Sequence, residues 1–394
     1  MTRRLTASLS ALLLVSAGGA AAAQETAPVA MTVREAPDFD GTISTPVDAP
    51  RSAARAAVGQ SIAQSALAAG FSGEIMIDMG GLLLINAVSD DLAAQGYGKL
   101  GGKNVLWPYA SVTKQILAAR ITEELDANGL DLGTPISEFV PQISGEAPVP
   151  TMRQLLQHRS GLRNPNDTPN AANSWPDFYN SPSNSGLEWC LKKRSAPPQK
   201  GWRYNNCDYI VLGAAFDELS FEAADVMLTT AYFGPKNAAT RTTPVMLTSD
   251  TIGEYYAMSA PESETIPAYG ASGAMGGTLS DLAVLNWNLM KGYEADLAGG
   301  GARAEFWQGV PALSSMALGQ WVFDVEHPSC KAPITVAQRK GEIGKYRLES
   351  VMLPALGRSI VFATTDVEFE FGEIWARQGA LYDAVGALAC GDKS

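Results

Sequence analysis

Ser111-Val112-Thr113-Lys114 sets a hydroxyl and an amine three residues apart, so on a helix both side chains lie on one face and can meet. A serine hydroxyl is a poor nucleophile at neutral pH and needs an adjacent base. Lysine can serve as that base where burial or a neighbouring cation lowers its pKa. The apolar run Ile116, Leu117, Ala118, Ala119, Ile121, with Glu123 and Glu124 beyond it, predicts that the pair opens a helix. A serine there would sit at the positive end of the helix dipole, which favours a developing alkoxide.

Upstream, Val105-Leu106-Trp107-Pro108-Tyr109-Ala110 is apolar and aromatic and reads as a strand or buried loop that delivers the serine. Downstream, Asn128-Gly129 stops the helix, and Met152 to Leu162 carries the segment Leu-Leu-Gln-His-Arg-Ser-Gly-Leu. Gly201-Trp202-Arg203-Tyr204-Asn205-Asn206 then precedes a second apolar helix around Tyr209 to Phe216. In this order and at these separations the segments resemble the serine β-lactamase and penicillin-binding-protein superfamily. The branch they most resemble holds the class C β-lactamases, esterases and D-aminopeptidases, and the likeness runs from about Phe71 to Thr365.

The resemblance implies an α+β fold of the β-lactamase/transpeptidase type. An antiparallel sheet built from both chain ends is flanked by helices, with an inserted helical lobe. The sequence pattern agrees. Glu74–Met79 and Leu82–Val88 flank Gly80-Gly81 as a hairpin. Strands return at Leu318–Val325, Ile334–Gln338, Leu348–Leu353 and Ser359–Thr364, and a last helix is expected over Ile374–Leu388. The catalytic domain is expected over 58–394, with the α/β part at about 58–111 and 268–394 and the helical lobe at about 112–267. Ala56–Ala69 is helical in pattern. Residues 24–57, rich in Ala, Pro, Thr and Asp without periodicity, read as an extended or disordered leader.

Residues 1–23 carry Arg3 and Arg4, the apolar run Leu9–Val15 and Ala21-Ala22-Ala23, the layout of a secretory signal peptide cleaved after about Ala23. That predicts a periplasmic or secreted protein with no membrane insertion after removal of the signal. The formal net charge of −12 argues against nucleic acid and anionic membranes as partners. A small molecule or short peptide is the expected substrate, and the oligomeric state is open. No metal site is expected: the only histidines are His158 and His327, and no cysteine pair is spaced Cys-x-x-Cys. The glycine-rich run Gly273–Gly277 lacks a Lys-Ser/Thr ending, so no phosphate loop and no cofactor are expected. Four cysteines allow three connectivities. In the fold the resemblance implies, Cys190–Cys207 and Cys330–Cys390 are the local pairs.

The resemblance also assigns roles. Ser111 is the nucleophile, and Lys114 and Tyr204 handle its proton. Asn206, from the Tyr-x-Asn motif, binds the lysine and the substrate amide. The alternative for this motif is a packed Tyr204 and a helix-capping Asn206. His158 matches a structural helix end in the family, and Asp281 a helix cap. Trp175, Tyr179 and Trp202 are candidates for the acyl or leaving-group pocket, and core packing explains them equally well.

Relatives usually carry Lys-Thr-Gly or His-x-Gly on the strand beside the nucleophile. The match chosen here is Gly341-Glu342-Ile343-Gly344 followed by Lys345, which puts a glutamate where a cation is expected. Like charges about 4 Å apart at an effective dielectric near 20 cost on the order of 4 kcal/mol, about a thousandfold in affinity. Glu342 there would repel the carboxylate of a penicillin or cephalosporin. It could instead hold Lys114 or Tyr204, or bind a substrate amine. The family's oxyanion hole implies the backbone N–H of Ser111 and that of a strand residue near Lys345. The function expected is an exported serine hydrolase acting through an acyl-enzyme on an ester or amide, poor on β-lactams. The alternatives are a true class C-like β-lactamase or DD-peptidase, and a binding or sensor protein that keeps the fold without turnover.

Overall fold

A computed structural model describes residues 31–35, 49–81, 83–98, 103–143, 148–180, 186–192, 196–220, 245–248 and 252–392. The signal peptide expected at 1–23 and most of the leader lie outside them. Among the leader residues that are described, Met31–Glu35 forms strand β1, and helix α1 spans Ala49–Ala68, opening before the Ala56 expected.

The main sheet has the order β1-β3-β2-β10-β9-β8-β7 with every neighbouring pair antiparallel. Its strands are β2 Glu74–Asp78, β3 Leu83–Val88, β7 Trp321–Val325, β8 Ile334–Ile343, β9 Tyr346–Leu353 and β10 Arg358–Thr364, besides β1. Strands from both ends of the chain therefore share one sheet. A small second sheet joins β4 Trp107–Pro108, β5 Val245–Met246 and β6 Met275–Gly277 in the order β4-β6-β5.

Each face of the main sheet covers its own core, because successive strand residues point to opposite sides. On β8, Ala337 and Ile343 join the core shared with helix α2 (Val112–Ala127), helix α3 (Asn206–Ser220) and helix α4 (Leu279–Lys291). Ile334 and Val336 join the core under α1 and helix α5 (Ala380–Cys390). Two disulfides, Cys190–Cys207 and Cys330–Cys390, tie the short helix Gly186–Leu191 to α3 and the approach to β8 to α5.

Local chemistry explains where element limits differ from expectation. β7 begins at Trp321 because Gly319, at φ +75°, turns the chain where a Cβ would come within 2.8 Å of the Lys114 carbonyl. α5 begins at Ala380 rather than near Ile374, since Gly379 at φ +88° cannot be helical. β8 runs on through Arg339-Lys340-Gly341-Glu342, a polar stretch that pattern alone places outside the strand. Pairing with β9 across the two-residue turn Gly344-Lys345 holds it extended.

Candidate active site

Ser111 stands where β4 turns into α2. Ala110 takes φ +49°, a left-handed conformation uncommon for a residue with a side chain. The turn is pinned on either side: Tyr109 N–H donates to the Met275 carbonyl at 2.7 Å, and Tyr109 OH to the Thr278 carbonyl at 2.7 Å. Below it, Trp107 Nε1 donates to the buried Glu74 carboxylate at 2.6 Å. Ser111 is the N-cap of α2, but its side chain caps nothing. Its hydroxyl hydrogen-bonds the Tyr204 hydroxyl.

Lys114 lies one turn along α2 and is fully buried. Its ammonium donates to Ser111 Oγ at 3.3 Å, Asn206 Oδ1 at 2.7 Å and the Ser272 carbonyl at 2.5 Å. Burial pushes its pKa down to about 8, with Arg339 acting in the same direction against the pull of Tyr204. Burial alone would raise the Tyr204 phenol, but the positive charges of Lys114 and Arg339 and the hydrogen bonds to Lys114 and Ser111 bring it below its ordinary value. Lysine and phenol therefore approach one another in proton affinity, which is the condition for passing a proton between them.

The turn that presents Tyr204 is built by its neighbours. His158 is buried and takes φ +56°. Its carbonyl accepts from Arg203 N–H at 2.9 Å, its Nδ1 accepts from Asn205 N–H at 3.2 Å, and its ring packs 4.7 Å from that of Tyr204. Burial holds the His158 imidazole well below its usual pKa, so it is a neutral support for the turn. Asn205, not Asn206, caps α3, accepting from Cys207 N–H at 2.9 Å. This frees Asn206 to hold Lys114 through Oδ1 while its Nδ2 donates to Tyr179 OH at 2.7 Å. Asp281 accepts from Thr278 in the capping box of α4.

The third motif is displaced from its expected position. Glu342 is exposed, on the same side of β8 as Ile334 and Val336 and away from α2. The period of two sends Arg339 and Gly341 toward the serine instead. Arg339 is 1% exposed and donates from Nε to the Ser111 carbonyl at 2.9 Å and from Nη2 to Tyr204 OH at 3.3 Å. The cation-x-glycine pattern is thus Arg339-Lys340-Gly341, and no glutamate side chain faces Ser111 from this strand. Lys340 points to the opposite face, where it pairs with Glu373 at 2.8 Å.

Glu342 contributes through its backbone. In a two-residue hairpin the closing residues, here Ile343 and Tyr346, exchange hydrogen bonds, and the pairing alternates outward from them. The pair Glu342–Arg347 is then the kind whose N–H groups turn away from the partner strand. β7 pairs with β8 only as far as Gln338, so the Glu342 N–H faces an edge that β7 leaves open. That amide, rather than one nearer Lys345, is the strand N–H that the register turns toward the open edge. The edge runs close to the serine's turn: a Cβ on Gly341 would lie 2.6 Å from the Tyr109 carbonyl oxygen. Gly341→Ala should therefore push β8 off the serine and lower kcat/KM by about 100-fold, the scale of a 1 Å misplacement. Steady-state kinetics alongside a thermal melt would check this.

The remaining candidates border this centre at greater remove. Trp202 packs edge-on against Trp321 at 5.9 Å, and Arg339 lies over the Trp321 ring at 5.1 Å, so Trp202 reaches the site through those two side chains. Gly344 and Lys345 form the β8–β9 turn, against Trp175 and Glu262 respectively. Arg339, Tyr269 and the Ser272 carbonyl were not singled out in the sequence. Arg339-x-Gly was the available signal, obscured because the glycine at 344 was matched instead of that at 341.

Residues 74–381 match the Beta-lactamase family, and the chain belongs to it, within the serine β-lactamase and penicillin-binding-protein superfamily. Solved structures share the fold at low identity. A D-amino acid amidase from Ochrobactrum anthropi SV3, complexed with D-phenylalanine, is 17% identical with a TM-score of 0.60, over 85% of this chain and 98% of that one. A β-lactamase/D-alanine carboxypeptidase from Yersinia pestis, complexed with citrate, is 17% identical with a TM-score of 0.60, over 86% and 99%. A penicillin-binding protein from Bacillus halodurans is 17% identical with a TM-score of 0.57, over 85% and 99%. No curated protein matches the sequence.

Proposed function

We propose that this protein is an exported serine hydrolase that cleaves an ester or amide through an acyl-enzyme at Ser111. The observation that carries the reading is the convergence of Ser111 Oγ, the Lys114 ammonium, the Tyr204 hydroxyl and the Arg339 guanidinium at hydrogen-bonding distances. Ser111 Oγ attacks the carbonyl carbon and gives its proton to the Tyr204 oxygen, with Lys114 holding the charge balance. The carbonyl oxygen becomes an oxyanion between the N–H groups of Ser111 and Glu342, and each such donor contributes about 2.7–4 kcal/mol. Collapse breaks the bond to the leaving group, which takes the proton from Tyr204. Water then enters, loses a proton to Tyr204 and attacks the acyl carbon; the bond to Ser111 Oγ breaks, the serine takes the proton back from Tyr204, and the acid is released.

Export is supported by the layout of residues 1–23 and by two disulfides, which persist in an oxidising compartment. Poor use of carboxylate-bearing β-lactams follows from how the nearby cations are engaged. Arg339 is buried and bound to Ser111 and Tyr204, and Lys345 faces Glu262. A second reading, β-lactamase or DD-peptidase, is favoured by Arg339 itself, a cation where the family uses one to grip a carboxylate. Parallel assays of a p-nitrophenyl ester, a D-aminoacyl anilide and a chromogenic cephalosporin separate the two. Turnover of the first or second with the cephalosporin nearly inert supports the hydrolase proposed. Fast cephalosporin turnover establishes the second reading.

The pH profile should follow the cationic surroundings of the base. kcat/KM is expected to rise with pH as the coupled Lys114–Tyr204 pair loses a proton, with a limb near 8. Arg339 lowers the proton affinity of both groups, so Arg339→Met should move that limb to higher pH by about one pH unit. An unmoved limb would show that Arg339 does not act on the base.

A further inference from the structure

We propose that the acyl side of the cleft is a short, blind, apolar subsite, closed where the β8–β9 turn meets Trp175 and Glu262. The inference rests on the hydrolase reading above and names the substrate class of that site: esters or amides of small, apolar acids.

The direction of the substrate follows from the proton donor. Tyr204 OH lies against Arg339, on the side of β8 that precedes Glu342, so the leaving group it protonates lies on that side. The carbonyl oxygen is held at the Glu342 N–H. The acyl remainder then runs the other way along the open edge of β8, toward Gly344.

That path ends quickly. A Cβ on Gly344 would come within 3.1 Å of the Trp175 indole and 3.2 Å of Glu262 Cγ, so the turn already lies against both. Beside it Lys345 Nζ stands 3.8 Å from Glu262 Oε1, and Glu262 is fixed by accepting from Ser259 N–H at 3.1 Å. Glu342 and Gly344 are two residues apart, at most about 7 Å of extended chain. An extended chain of about six atoms fills that length.

A row of aromatic rings leads from that contact back toward the lysine's partners. Trp175 meets Tyr269 edge-on at 6.2 Å, and Tyr269 stacks on Tyr179 at 3.8 Å with the rings 7° from parallel. The Tyr179 hydroxyl accepts from Asn206 Nδ2, which connects the row to the lysine's own partner. Rings beside a strand edge suit a flat or slender apolar group. The Trp175–Gly344 contact stops a longer one.

The test is the kcat/KM for p-nitrophenyl butyrate divided by that for p-nitrophenyl decanoate, measured in each enzyme separately, with hexanoate and octanoate between them. The native protein should favour butyrate by about 100-fold or more, since a rigid pocket discriminates by 10–200-fold per misfitting group. Trp175→Ala removes the stop and should reduce that preference about tenfold. Lys345→Ala, at a partly exposed position whose ammonium faces Glu262, should reduce it in the same direction. Trp375→Ala, at a residue 68% exposed on a different loop, should leave the preference unaltered. A native enzyme that takes decanoate as readily as butyrate overturns the blind subsite, as does a preference unchanged in both the Trp175 and Lys345 variants. If no ester turns over and a fluorophosphonate leaves Ser111 unlabelled, the hydrolase reading fails, and the subsite with it.

Discussion

Ser111→Ala should abolish acyl transfer, lowering kcat by up to about 10⁶-fold, the loss seen when a nucleophile that works as part of a unit is removed. The variant should fold normally. The Ser111 side chain caps nothing in α2 and is only partly buried, and an alanine keeps the Cβ and the backbone N–H. What is lost is the one oxygen that Tyr204 and Lys114 both address. Substrate could still bind, so KM should change far less than kcat. The comparison of both constants with the native enzyme, at matched thermal stability, checks the prediction. A variant that retained a tenth of native turnover would move the chemistry elsewhere in the molecule.

Lys114→Met should cost about 10³–10⁴-fold in kcat/KM, the upper part of the range for general acid–base groups. Methionine fills most of the buried volume but cannot donate. Ser111 Oγ loses a partner, and Asn206 Oδ1 and the Ser272 carbonyl lose theirs, the latter two at about 1–3 kcal/mol each for buried acceptors left unpaired. Removing a buried charge works in the opposite direction, so a folded variant is expected. The loss should be greater at neutral than at alkaline pH. Lys114 is one of the charges that lower the Tyr204 phenol; without it the phenolate forms only at higher pH, and residual activity should climb there. A profile of unchanged shape would show that Tyr204 does not depend on Lys114.

The proposed nucleophile and its base were legible in the sequence because helix geometry is local. A three-residue spacing places Ser111 beside Lys114 wherever the helix packs. Tyr204-Asn205-Asn206 was legible as a motif, but the division of labour inside it was not. Which asparagine caps α3 depends on where the helix starts, and the structure gives that role to Asn205. The fold was readable from hydrophobic alternation in β2, β3, β9 and β10, whose sequences are apolar on at least one face. β8 was readable only as far as Gln338, because Arg339, which continues it, is buried by its partners rather than by its chemistry.

Register decided what spacing could not. Moving the third motif by three residues, an odd number, exchanges every side chain between the two faces of a strand. With the glycine matched at 344, Glu342 became a repulsive wall in the site. With Gly341 against the Tyr109 carbonyl, the side chain of Glu342 leaves the cleft while its N–H enters it. Nothing in the residues from Lys340 to Lys345 distinguishes these registers. Arg339, just before them, completes a cation-x-glycine pattern with Gly341, and the close approach of two backbones there requires that glycine.

The central claim is that Ser111 forms a covalent adduct with its substrate. The most direct measurement is the intact mass of the protein after exposure to a small alkyl fluorophosphonate, followed by peptide mapping, in the native chain and in Ser111→Ala. The account predicts a single adduct on the peptide containing Ser111, absent in the variant and formed much more slowly in Lys114→Met. An unmodified native protein, or an adduct that persists in Ser111→Ala, would contradict it.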